Sequence, residues 1–144
     1  MYETVLVPTD GGEISITAAE EGIELADSTG TVHILSVVEE LPMYKQSGKG
    51  AKIDDDDKSE VREYLAEAAE RIEELTADAG VESTTTITEG VPHREILSHA
   101  AEIDTDAIVM GKRGQGAATD DILGSTTERV IKGASSTVVT VPES

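Results

Sequence analysis

The sequence predicts an α/β fold: a single domain over residues 1–144 built on one open, all-parallel, five-stranded sheet in flavodoxin-like or Rossmann-like layers, with helices on both faces. Three observations lead there. Short β-branched runs alternate with apolar stripes at helical spacing, and strands joined through helices run parallel and are covered on both sides. A length of 144 residues suits one core. No internal repeat and no interdomain linker divides the chain.

The elements follow in order. Thr4-Val5-Leu6-Val7 is an apolar run and the first strand. Ile16, Ala19, Ile23 and Ala26 recur at helical spacing and mark the first helix. Val32, Ile34, Leu35, Val37 and Val38 make the second strand. Val61, Leu65, Ala68, Ile72, Leu75 and Ala79 form a 3.6-residue stripe, the second helix. Gly80 stops it as a C′ glycine. Val81 to Thr88 is rich in β-branched residues and reads as the third strand. Pro92 suits a first helical position, and Ile96, Leu97, Ala100 and Ala101 continue that third helix. Ala107 to Met110 is the fourth strand, residues 125–133 the fourth helix, and Thr137 to Val141 the fifth strand.

One connection stands out. Glu39 to Lys58 is long for a strand-to-helix link. It carries Pro42, Gly48 and Gly50, and four of the eleven basic residues: Lys45, Lys49, Lys52 and Lys58. Asp54-Asp55-Asp56-Asp57-Lys58 has the form of an engineered protease-cleavage tag, but inside the chain it reads as a solvated acidic loop. The segment leaves the ligand-binding edge of the sheet and reads as a lid or as a disordered loop.

Composition narrows the partners. Thirty acidic residues against eleven basic give a net charge of −19, which repels nucleic acid and anionic membranes. No Phe, no Trp and three Tyr leave few platforms for stacking bases. There is no apolar stretch of ~18 residues to span a membrane. Met1-Tyr2-Glu3 leads straight into a strand with no signal-like start, so a cytoplasmic location is expected. Zero cysteines exclude disulfides, thiolate metal sites and cysteine nucleophiles. The apolar periodicity argues against disorder. What remains is a folded chain with an acidic, hydrated surface of the halophilic kind. Concentrated salt would screen its self-repulsion, the Debye length being about 3 Å at 1 M.

The most informative chemical feature is a spaced glycine loop: Gly111-Lys112-Arg113-Gly114, then nine residues, then Gly124-Ser125. It joins the fourth strand to the fourth helix. Glycines there let backbone N–H groups approach an anion at the positive end of a helix dipole. The P-loop pattern is absent, and Gly114-Gln115-Gly116 does not continue into a dinucleotide fingerprint. The alternative is an empty loop, with Ser125 and Glu128 forming a capping box that satisfies the helix internally.

In parallel sheets the ligand crevice lies beyond the carboxyl ends of the strands, where the order reverses. Pro8-Thr9-Asp10-Gly11-Gly12, Val37-Val38-Glu39 and Met110-Gly111 emerge there. Asp10 either accepts ribose hydroxyls or holds a metal, or else caps the first helix. Lys112 and Arg113 either offset phosphate charge or pair with Asp120 and Asp121. His33, His93 and His99 show no ligand spacing. A receiver-like phospho-acceptor role for Asp10 wants further acidic residues beside it, and none immediately precedes it.

These pieces together resemble the universal stress protein family over nearly the whole chain. The matching residues are Val5-Leu6-Val7-Pro8-Thr9-Asp10, Gly90-Val91-Pro92-His93, Asp106-Ala107-Ile108-Val109-Met110-Gly111 and the glycine loop. Gly111, Gly114, Gly124 and Ser125 fit the spacing of the ATP-binding branch. The resemblance implies strand order 3-2-1-4-5 and binding of ATP, or of ADP or AMP, with Mg²⁺ or Mn²⁺. It implies that Pro8, Thr9 and Asp10 line the adenosine pocket and that Val37 contacts adenine. Met110 and Gly111 would flank ribose and phosphates, and Gly114, Gly124, Ser125 and Thr126 would bind the phosphates. It also implies a homodimer through the last strand, Thr137 to Val141. No residue stands out as a general base for water, so hydrolysis, if any, is expected to be slow. Two departures stand out. Gln115 to Leu123 holds Asp120 and Asp121 and no basic residue, so a triphosphate there needs a cation or concentrated salt. Thr137 stands where the family often has proline. A nucleotide-free dimeric interaction module is the alternative to this reading.

Overall fold

The computed structural model describes residues 2–39, 55–112 and 123–142. Along them run β1 (Tyr2–Pro8), α1 (Glu13–Leu25), β2 (Ala26–Glu39), α2 (Asp55–Ala79), β3 (Glu82–Gly90), α3 (Pro92–Ile103), β4 (Ala107–Gly111), α4 (Ser125–Gly133) and β5 (Thr137–Val141). The five strands form one sheet in the order β3-β2-β1-β4-β5, every pair parallel. Both the α/β class and the strand order match expectation.

The sheet separates two apolar layers. Val5, Val7, Val32, Ile34 and Val109 pack with Ala18 and Ala19 of α1 and with Ala69 and Ile72 of α2. Leu6, Leu35, Ile108 and Met110 pack on the other face with Ile96 and Ala100 of α3 and Val130 of α4. Val5, Leu6 and Val7 are consecutive and all fully buried, as a central strand covered on both faces requires. Each such side chain contributes roughly 1.5–3 kcal/mol of burial.

Three details differ from the sequence reading. The first helix buries Ser15, Ala18, Ala19 and Gly22, while Ile16 and Ile23 sit at the margin. Small residues let the helix lie close to the sheet: a Cβ on Gly22 would stand 3.0 Å from Val7 and 3.4 Å from Val5. Ala26, expected inside that helix, caps it in an extended conformation and opens β2. β2 reaches back so far through a register shift, in which the six residues Ala26 to Thr31 face the three residues Tyr2 to Thr4 of β1. The second helix begins at Asp55, so most of the acidic run is helix rather than loop. Acidic residues favour a helix amino terminus through its dipole. Its stripe also shifts: Val61 is exposed and Thr76 is buried, the Thr76 hydroxyl donating to the Glu73 carbonyl at 2.7 Å.

The stop at Gly80 is as expected. Gly80 has φ +75° and its N–H donates to Ala77, while Val81 N–H reaches back to Thr76 at 2.9 Å. This is a Schellman closure, which needs a left-handed residue at Gly80. The proposed lid residues 40–54 lie outside the described residues, as do Arg113, Gly114, Asp120 and Asp121.

Candidate functional site

β1 and β4 are stitched together at their amino ends and part at their carboxyl ends. Asp106 Oδ2 accepts the N–H groups of Glu3 and Thr4 at 3.1 and 3.0 Å, and Asp106 N–H donates to the Thr4 carbonyl at 3.0 Å. Ladder pairing between the two strands then covers only Val5 with Ala107 and Leu6 with Ile108. Beyond it, Val7 and Pro8 pair with β2, while Val109, Met110 and Gly111 pair with β5. The sheet thus opens where its order reverses, the place expected for a ligand crevice.

One wall of this crevice is the turn after β1. Thr9 N–H donates to the Leu35 carbonyl at 2.8 Å, which ties the turn to β2. The Thr9 hydroxyl accepts Gly11 N–H at 3.1 Å and shares a 2.7 Å hydrogen bond with Ser15. Ser15 spends its proton on the Gly12 carbonyl at 2.6 Å, so Thr9 is the donor between the two hydroxyls. Thr9 is therefore buried inside the turn it builds. Asp10 is exposed, and its Oδ1 accepts Gly12 N–H at 2.9 Å. It does not cap α1. Gly12 holds the N-cap position, with no side-chain cap. Val37, at the carboxyl half of β2, is half-buried against the α3 layer.

The opposite wall is the junction of β4 and α4. Lys112 N–H donates to the Val141 carbonyl at 2.8 Å, and Gly124 N–H donates to the Lys112 carbonyl at 3.1 Å. Thr127 reaches back from the first turn of α4, its hydroxyl donating to Gly111 at 3.0 Å. Gly111, Gly124, Ser125 and Thr126 are thereby gathered at one end of the sheet. Gly124 is the N-cap and, being glycine, brings no capping side chain of its own. The alternative capping box does not form, because Ser125 is already helical and Glu128 turns the other way, to Lys132 at 2.9 Å. The first N–H groups of α4 carry the positive end of its dipole.

Cations gather nearby. His93, in the first turn of α3, is held below its ordinary pKa first by burial, then by the charges of Arg129 and Arg94. Among the described residues no group of three His, Cys, Asp or Glu could hold a metal ion. His33 sits opposite Leu6 in mid-sheet and meets His99 edge-on, ring centroids 6.5 Å apart. Burial, then the His99 charge, keeps His33 below its usual value.

Sequence reasoning missed Tyr64. Its hydroxyl donates to the Gly11 carbonyl at 3.2 Å, from a residue 53 positions away. It also missed Glu89 at the end of β3, which pairs with Lys58 and, at 3.5 Å, with Arg62 of α2. A tyrosine off the apolar stripe of a helix was the only available signal for the first.

The universal stress protein family matches residues 1–142. Universal stress protein MJ0531 of Methanocaldococcus jannaschii is 33% identical, covering 98% of this chain and 82% of the relative. The solved structure of MJ0577 from the same organism superposes with a TM-score of 0.86 at 28% identity, over 100% of this chain and 98% of that one. A universal stress protein from Archaeoglobus fulgidus solved in complex with dAMP gives 0.65 at 25% identity, over 96% and 97%. Among the described residues no helix is long and apolar enough to cross a membrane. By the match over nearly its full length, the chain belongs to the universal stress protein family.

Proposed function

We propose that this protein is a cytoplasmic, homodimeric universal stress protein that binds ATP, or a related adenine nucleotide, and holds it in stress signalling rather than turning it over. One observation carries the reading: the parted ends of β1 and β4 face an α4 amino terminus whose N-cap is a glycine. Pro8, Thr9, Asp10 and Val37 supply the adenosine side, Thr9 through the turn it builds. Met110 and Gly111 flank ribose and phosphates. Ser125 and Thr126 offer N–H groups to the phosphates, while Gly124, whose own N–H is held by the Lys112 carbonyl, leaves room for the anion to approach, with Gly114 from the same spaced motif. The dAMP complex of the Archaeoglobus relative supports an adenine nucleotide. Mg²⁺ or Mn²⁺ would be held by phosphate and water, with Asp10 as the one protein carboxylate proposed, since Mg²⁺ commonly keeps several waters. Among the described residues beside the phosphates, Lys112, Ser125 and Thr126, none is a general base suited to water, which favours slow hydrolysis or none.

Titration calorimetry in molar KCl tests this with ATP, ADP and AMP, each with Mg²⁺ and with EDTA. ATP should bind, and EDTA should weaken ATP more than AMP. Gly124→Val should abolish ATP binding by keeping the backbone from closing on the anion. Normal binding by that variant would rule out the phosphate cradle. Equal ATP affinity with EDTA and Mg²⁺ would rule out the metal.

A further inference from the structure

We propose that Tyr64 is a positioning residue of the nucleotide site, acting on Asp10 through the peptide between Gly11 and Gly12. The inference rests on the reading of Asp10 as a nucleotide ligand. The Tyr64 hydroxyl donates to the Gly11 carbonyl at 3.2 Å. At the other end of that same peptide, Gly12 N–H donates to Asp10 Oδ1 at 2.9 Å. A peptide unit is planar, with C=O and N–H pointing opposite ways. A grip on the oxygen therefore sets the direction of the N–H, and with it the carboxylate. Donation to the carbonyl also polarises the unit and strengthens the N–H as a donor.

The ring acts on the same residue. A Cβ built on Gly11 would stand 2.5 Å from Tyr64 Cε1 and 2.9 Å from Cζ. The ring thus covers the α-carbon of a residue whose φ of +88° side chains rarely adopt. Gly11 is held at its N–H by Thr9, at its carbonyl by the phenol and at its α-carbon by the ring. These contacts pin the most adaptable residue of the turn. Tyr64 is 48% exposed, so burial alone does not account for its placement. Lys58 and Arg62, within two turns of Tyr64 on α2, pair with Glu89 of β3 and hold this part of the helix over the turn.

The test is Tyr64→Phe, which keeps the ring and removes the donor, alone and combined with Asp10→Ala. The measurements are amide hydrogen exchange at Gly12, melting, and ATP titration. Gly12 exchange should accelerate while melting stays in place, and ATP affinity should fall by about three- to tenfold. In the Asp10→Ala background the same substitution should change affinity by less than about twofold, because both residues act through one peptide. Unchanged Gly12 exchange overturns the proposal, as do losses that add in the double variant. ATP affinity equal to wild type in Tyr64→Phe overturns the positioning role alone. Absence of adenine-nucleotide binding by the wild-type protein removes the nucleotide reading itself, and the positioning role with it.

Discussion

Asp10 is oriented by the turn it stands in. Its carboxylate takes the Gly12 N–H, and the surrounding turn is locked by the Thr9 and Ser15 hydroxyls. Asp10→Ala should therefore weaken nucleotide binding by roughly 1.5–3 kcal/mol, the range for a hydrogen bond to a charged group. The melt should hardly move, because Asp10 is exposed. Calorimetry beside a thermal melt checks this, and unchanged affinity would remove Asp10 from the site. The places of Asp10, Gly111 and Gly124 at the ends of β1 and β4 and the start of α4 were legible in the sequence because strand ends, glycines and helix starts are local signals. Tyr64 was not, because its partner lies far away along the chain. The failed capping box was beyond sequence as well: Ser125 and Glu128 have the right spacing, but the helix starts one residue too early for it.

At the scale of elements, α2 is fastened to the sheet by charge. Glu89 is held below the ordinary carboxylate value of 4.5 first by the hydrogen bond from Lys58, then by the Lys58 charge, with a smaller contribution from Arg62. A carboxylate lowered in this way contributes stability that is fully present above its unfolded pKa and lost as pH falls through its folded one. The melting gap between wild type and Glu89→Gln should be full at pH values well above 4.5 and should close as the pH falls below 4.5 through the lowered folded value. It should also shrink in molar salt, since the pair is solvent-exposed. A gap independent of pH would assign Glu89 some other role.

β5 ends the sheet with one open edge, and its Val138 and Val139 are only half-buried. An unpaired edge invites another strand. Val139→Lys should shift the proposed dimer toward monomer in sedimentation at micromolar concentration, and a monomeric wild type would refute the pairing. Strand positions were legible because short apolar and β-branched runs mark them, buried on both faces in β1 and β4. The face of α1 was not, because Ala18, Ala19 and Gly22 mark the sheet side by smallness, which a search for large apolar residues passes over. The start of α2 was hidden by an acidic run that looks like solvated loop until the helix dipole is considered.

For the molecule as a whole, a net charge of −19 is carried by a single sheet with two thin apolar layers. Mutual repulsion opposes that compact state, and salt relieves it. The melting temperature should rise between low salt and 2 M KCl, each kcal/mol of relieved repulsion being about 3–5 °C for a chain of this size. A flat profile would reject the halophilic reading of the composition. The hydrogen bond from Gly124 to the Lys112 carbonyl has a different consequence at this scale. It ties the end of the strand to the start of the helix, so β4 and α4 are set against each other by a bond between their own flanking residues. Under the nucleotide reading, the sequence between those two residues could be lengthened or recharged at small cost, doubling a flexible loop costing only about 0.6 kcal/mol in closure entropy, which would make specificity a replaceable part of this fold.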